Sequence, residues 1–86
     1  MKIHFHKNFN RQYKKLNASQ KLKTKQRIKI FLDDPFNPIL NNHPLKGKYT
    51  DYRSINITGD LRAIYKNLNT QEIIFVKLGN HSQLYS

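Results

Sequence analysis

The stretch "YRSINITGDLRAIYKNLNTQEIIFVKL" constrains this chain more than any other part of it. Three segments rich in β-branched and aromatic residues are separated by "TGD" and "NLNTQ", too short for anything but tight turns. They predict three antiparallel strands, "YRSINI", "LRAIYK" and "EIIFVKL". A three-residue loop at Ile57-Thr58-Gly59 puts glycine third, in the left-handed position such loops favour. That register sets Asn56 opposite Asp60 and Ser54 opposite Arg62. A four-residue loop "NLNT" then sets Lys66 opposite Gln71, Ile64 opposite Ile73, Arg62 opposite Phe75 and Asp60 opposite Lys77. One face carries Ile55, Leu61, Ala63, Tyr65, Ile74, Val76 and Leu78. The other carries Ser54, Asn56, Asp60, Arg62 and Lys77, with Ile64, Ile73 and Phe75 beside them. A two-residue turn would move Asn56 to the apolar face.

The apolar face needs a cover, and the first half of the chain supplies it. "KIHFH" alternates as a short strand with Ile3 and Phe5 inward. Phe9, Tyr13 and Leu16 then fall at helical spacing. Ser19 reads as the N-cap of a second helix running to about Leu32 and stopped by "DDP". Its cations at 21, 23, 25, 27 and 29 alternate as on a strand, but Lys, Leu, Gln and Arg favour helix. The packing arc is Thr24, Ile28, Phe31 and Leu32. Residues 33–51 hold all three prolines and read as one long loop. The expected fold is α+β in the order β-α-α-β-β-β, with two helices on one face of a small, mainly antiparallel sheet. At 86 residues it is read as one domain, 1–86.

The 16 Lys+Arg against 5 Asp+Glu give a net charge of +11, and residues 1–30 hold ten cations and no acid. Such a field suits a polyanionic partner. The absence of cysteine, of a membrane-length apolar run and of a signal-peptide core points to the cytoplasm and away from membranes. On the open face, Asp60, Arg62 and Lys77 meet at the end where "LGNHSQLY" leaves the last strand, so His81 can fold back over it. His43 sits in the long loop before Pro44. Two histidines, an aspartate and cations suit RNA cleavage through the 2′-hydroxyl, which needs a base, an acid and positive charge on the phosphorane. Imidazole, with an ordinary pKa of ~6.5, serves in either proton role. Neither a cofactor nor a metal is required. A His43–His81–Asp60 metal site is the alternative, though so cationic a protein gains little from a further cation. His4 and His6 read as packing or surface residues.

The run from "NNHPLKGKYTDYRSINITGDLRAIYK" through "IIFVKLGNHSQLY" resembles the YafQ branch of the RelE/ParE superfamily. Its signature parts are an H-x-L-x-G loop, an arginine-bearing strand ending at a turn before aspartate, the IYK strand and a terminal G-x-H-S-x-L-aromatic. The resemblance implies a ribosome-dependent mRNA interferase, the toxin of a toxin–antitoxin pair, whose partners are an acidic antitoxin, the ribosomal A site and mRNA. It implies proton transfer by His43 and His81, Asp60 in the same site, and Tyr85 against the substrate base. Arg62 would brace the scissile phosphate, with Arg53, Lys46, Lys48, Lys77 and Asn56 as further RNA contacts. YafQ-type toxins commonly carry another histidine four residues before the aspartate. Here that position is Asn56, which donates a hydrogen bond but exchanges no proton at neutral pH.

Two other readings keep the scaffold without the chemistry. ParE-like relatives inhibit DNA gyrase by binding it, and an inactive homologue would only bind an antitoxin. A general RNA-binding module is a third, and it would need exposed aromatics at regular spacing on the sheet.

Overall fold

The structure, a computed structural model, describes residues 1–85, with Tyr85 described through its backbone alone. Strand β1 (Lys2–Phe5) leads through helices α1 (Lys7–Lys14) and α2 (Ala18–Asp33) to a two-residue strand β2 (His43–Pro44). Strands β3 (Tyr52–Asn56), β4 (Leu61–Asn67) and β5 (Glu72–Asn80) follow, and a short helix α3 (His81–Tyr85) closes the chain. The sheet order is β1-β5-β4-β3-β2. Only β1 and β5 run parallel, the connection between β1 and the rest of the sheet passing through α1 and α2. The expected α+β plan holds, enlarged by β2 and α3. Among the described residues no helix is long and apolar enough to cross a membrane.

Local chemistry explains the helix starts. His6 caps α1, its Nδ1 accepting the Asn8 N–H at 3.0 Å. The cap of α2 is Asn17, not the expected Ser19. Asn17 Oδ1 accepts the Gln20 N–H at 2.8 Å, and Gln20 Oε1 accepts the Asn17 N–H at 3.1 Å. This reciprocal box satisfies two donors that a helix start otherwise leaves bare, so the helix begins earlier than Ser19 alone implied. Thr24 and Phe31 are buried and Ile28 packs on the core as expected, but Leu32 is exposed. The segment read as a featureless loop contains tight helical turns at Pro38–Leu40 and Gly47–Tyr49 as well as β2, and Leu40 is fully buried.

The strand registers differ from those read off the turns. Asn56 pairs with Arg62, Ser54 with Ile64, and the Ile57 N–H reaches the Leu61 carbonyl at 2.8 Å. The loop is therefore Thr58-Gly59-Asp60, with Asp60 in the loop rather than opposite Asn56. Gly59 does not take positive φ. What closes the turn is Thr58, whose Oγ1 accepts the Leu61 N–H at 3.0 Å. The shift is two residues, so β3 and β4 keep the faces first assigned to them.

Strand β5 does not. Tyr65 pairs with Phe75 but Ile64 pairs with Lys77, leaving Val76 as an extra residue in a bulge. Ile73 and Phe75 accordingly turn toward the helices, and the open-face strip of Ile64, Ile73 and Phe75 does not exist. All three are buried. The Phe75 ring sits among Phe9, Phe31, Tyr65 and Phe5, with centroids 5.6, 5.4, 5.5 and 6.0 Å away. Four such neighbours make it the centre of the core, each pair adding to the area it buries.

Asn17→Ala, which removes the capping box, should cost about 1 kcal/mol and lower Tm by ~4–8 °C. Ser19→Ala should change stability by less than ~0.5 kcal/mol. Thermal melts of the two variants separate the two capping assignments.

Candidate active site on the open sheet face

Cross-strand pairing organises the face turned away from α1 and α2 into three rows. Asn56, Arg62 and Gly79 form the row nearest the β3–β4 loop. His43, Ser54, Ile64 and Lys77 form the next, and Tyr52, Lys66, Ile74 and His4 the third. Because the bulge returns Lys77 and Gly79 to this face, the end of β5 delivers the chain to the first row.

His43 is placed by its two predecessors. Asn41 adopts the left-handed conformation (φ 46°, ψ 48°), which asparagine tolerates better than most residues. Its carbonyl lies 2.8 Å from His43 Nδ1. A carbonyl only accepts, so Nδ1 carries the proton and Nε2 of the neutral ring keeps its lone pair. Asn42 anchors the loop through its carboxamide, donating to the Pro35 carbonyl and to Tyr65 Oη and accepting from Arg53 Nε, each at 2.8 Å.

His81 is placed by the start of α3. Asn80 Oδ1 accepts the Gln83 N–H and Gln83 Oε1 accepts the Asn80 N–H, both at 2.8 Å, a second capping box. Leu84, buried, pins the helix to the body, and its carbonyl accepts from Tyr49 Oη at 3.3 Å. Gly79 lies in close approach to the first turn of α3. A Cβ there would lie 2.9 Å from Gln83 Oε1 and 3.3 Å from Gln83 Cβ.

These elements enclose a cleft of ≈ 470 Å3 lined by His43, Leu45, Lys46, Tyr49, Arg62 and His81. His43, His81, Arg62 and Lys46 are thus brought together as expected. Asn56 contributes by holding Arg62, whose Nη1 donates to Asn56 Oδ1 at 3.0 Å. Lys77 and Lys48 reach the cleft wall rather than its interior. Lys77 Nζ donates to Tyr49 Oη at 2.7 Å, and the two ammonium groups lie 5.0 and 5.4 Å from the Tyr49 ring centroid.

Asp60 and Arg53 do not line that cleft. Asp60, exposed in its loop, lines an adjacent concavity with Asn80 and Gln83 instead of the histidine cleft. Arg53 points to the opposite face by strand alternation, where it binds Asn42 and stacks over Phe36 at 5.1 Å. Tyr85 ends α3, and its side chain lies outside the described residues. Among the described residues no three His, Cys, Asp or Glu side chains gather as a metal-holding group, so His43, His81 and Asp60 do not form the triad weighed above. Tyr49 and Asn42 were not singled out from the sequence. The signals for them were an aromatic directly after two lysines in "KGKYTDY" and an Asn-Asn pair directly before His43.

A sheet of this order under two helices is a fold shared with solved bacterial toxins. YafQ from E. coli strain BL21(DE3) superposes with a TM-score of 0.79 at 23% identity, over 98% of this chain and 97% of that one. A YoeB/ParE toxin from Agrobacterium tumefaciens does so with 0.79 at 22%, over 94% and 99%. A chain of an E. coli DinJ–YafQ complex gives 0.71 at 25%, over 98% and 97%. No curated protein matches this chain closely enough to count as a relative. The model of the family described as "Bacterial toxin of type II toxin-antitoxin system, YafQ" matches residues 1–86, and the chain belongs to that family.

Gly79→Ala should displace Gln83 from its capping box and shift α3 with His81, while the sheet stays intact. In a 1H–15N spectrum the changes should concentrate at residues 79–84 and their cross-strand partners Leu61 and Arg62, with those of β1 and α2 unmoved.

Proposed function

We propose that this toxin is an endoribonuclease that cuts mRNA on the ribosome by attack of a 2′-hydroxyl on the adjacent phosphate. The observation that carries the proposal is the shared cleft of His43, Arg62, Lys46 and His81, where the Asn41 carbonyl engages His43 Nδ1 and leaves Nε2 as the acceptor of the neutral ring. His43 Nε2 takes the proton of the 2′-hydroxyl, and the oxygen forms a bond to phosphorus. Arg62, held by Asn56, and Lys46 stabilise the doubly charged phosphorane. The imidazolium of His81 gives its proton to the departing 5′-oxygen as the P–O5′ bond breaks. The products are a 2′,3′-cyclic phosphate and a 5′-hydroxyl, so protons and bonds balance.

In this reading Asn56 replaces a proton carrier by a positioning group, and two histidines suffice. Asp60, outside the cleft, is not one of the proton-transfer pair. Ten cations in residues 1–30 supply phosphate contacts to ribosomal RNA. An acidic antitoxin would neutralise the toxin by covering those helices. Such a partner fits the likeness to the DinJ–YafQ complex and the exposed Phe5 and Leu32 beside the α1–α2 groove.

The test is expression in bacterial cells with mapping of mRNA 5′ ends. Wild type should cut inside translated reading frames, and His43→Gln or His81→Ala should lower cutting at least ~100-fold, as for loss of a general acid or base. Toxicity that survives His81→Ala, accompanied by DNA breaks of the gyrase type, would favour the ParE-like reading instead.

A further inference from the structure

The third row of the open face bears an aromatic and a cation that the proton-transfer chemistry does not use. Tyr52 lies opposite Lys66, whose Nζ sits 5.5 Å from the Tyr52 ring centroid. The rings of Tyr49 and Tyr52 meet edge to face, 5.9 Å apart at 87°, and form a two-walled corner. That corner opens into a second concavity, of ≈ 320 Å3, lined by His6, Asn8, Lys48, Val76 and Lys77 as well as the two tyrosines. Tyr49 is therefore a common wall, with the histidine cleft on one side and this concavity on the other.

Accepting the ribonuclease reading, we infer that the Tyr49–Tyr52 corner, with Lys48, Lys66 and Lys77 around it, is a subsite for a nucleotide flanking the scissile bond. Three features carry the inference. The concavity adjoins the cleft, with Tyr49 as their shared wall. Tyr52 lies two residues along β3 from Ser54 in the row of His43, about 7 Å, the order of one nucleotide step in an extended single strand. An aromatic corner ringed by ammonium groups has the two elements that hold single-stranded nucleic acid, a π-face for the base and positive charge for the phosphates. The open face therefore reads as a track, with chemistry in its first two rows and a stacking platform in the third. Base stacking on tyrosine tolerates any base, so this subsite adds grip and registration more than sequence choice.

The test is binding, which is independent of cutting. A fluorescein-labelled heptaribonucleotide with one 2′-deoxy linkage cannot be cleaved at that bond, and its anisotropy reports affinity for the free toxin. Tyr52→Ala should weaken binding about 5- to 100-fold, the range for loss of one stacked base. Tyr52→Phe should bind like wild type. Lys66→Ala should reduce the slope of log K against log salt by about 0.7, one phosphate contact to a single strand. Lys23→Ala, on α2, is the control for general charge and should affect binding less than Lys66→Ala.

Thermal melts of each variant confirm folding. A folded Tyr52→Ala protein that binds the oligonucleotide as wild type does would overturn the subsite and leave the ribonuclease reading standing. The expected pattern of binding from a toxin that never cuts mRNA in cells would uphold the subsite as an RNA contact and remove the ribonuclease reading.

Discussion

The extra residue in β5 decides both halves of this molecule. Before Val76 the strand sends Ile73 and Phe75 into the helix-covered core. After it, Leu78 is again the inward residue, while Lys77 and Gly79 face the open side. Without the bulge, strict alternation from Phe75 would turn Lys77 and Gly79 inward, with an unpaired ammonium group among the aromatic rings. A bulge also bends the strand and sharpens its twist. Here it stands directly before the segment that turns into α3 and carries His81. The aromatic cluster around Phe75 and the cleft that holds His81 are two consequences of one local irregularity.

Two short loops convert that sheet into a site. Each uses asparagine where the backbone needs either a left-handed residue or a side chain that both donates and accepts. Asn41 turns its carbonyl to His43 by adopting positive φ, and Asn42 fastens the same turn to Pro35, Tyr65 and Arg53. Asn80 starts α3. Asn56 orients Arg62. The histidines are therefore held by hydrogen-bonded backbone and amide groups, and among the described residues no carboxylate lines the cleft they share. A site built this way favours a substrate that brings its own negative charge.

Much of this was legible in the sequence. The α+β plan, the order of its main elements, the packing of Phe9, Thr24 and Phe31, and the meeting of His43 with His81 and Arg62 followed from periodicity, turn signals and family motifs. What was not legible has physical causes. "IIFV" is apolar throughout, so it carries no phase, and a bulge is invisible in a pattern that does not alternate. The Thr58-Gly59-Asp60 turn closes on a threonine hydroxyl instead of a left-handed glycine, which moved Asp60 off the strand and out of the cleft. Asn17 outcompeted Ser19 because Gln20 completes its box. The residues that position His43 were hidden in a loop whose order comes from side-chain amides, for which periodicity offers no signal.

The central claim is that His43 and His81 exchange protons around a phosphorane. It is tested most directly by the ends of the RNA that the toxin leaves on ribosomes programmed with a defined message. Attack by the 2′-hydroxyl predicts an upstream fragment ending in a 2′,3′-cyclic phosphate and a downstream fragment with a 5′-hydroxyl that a kinase labels without prior phosphatase. An upstream 3′-hydroxyl with a downstream 5′-phosphate would show that water, not the ribose, attacks the phosphorus, and would contradict the account.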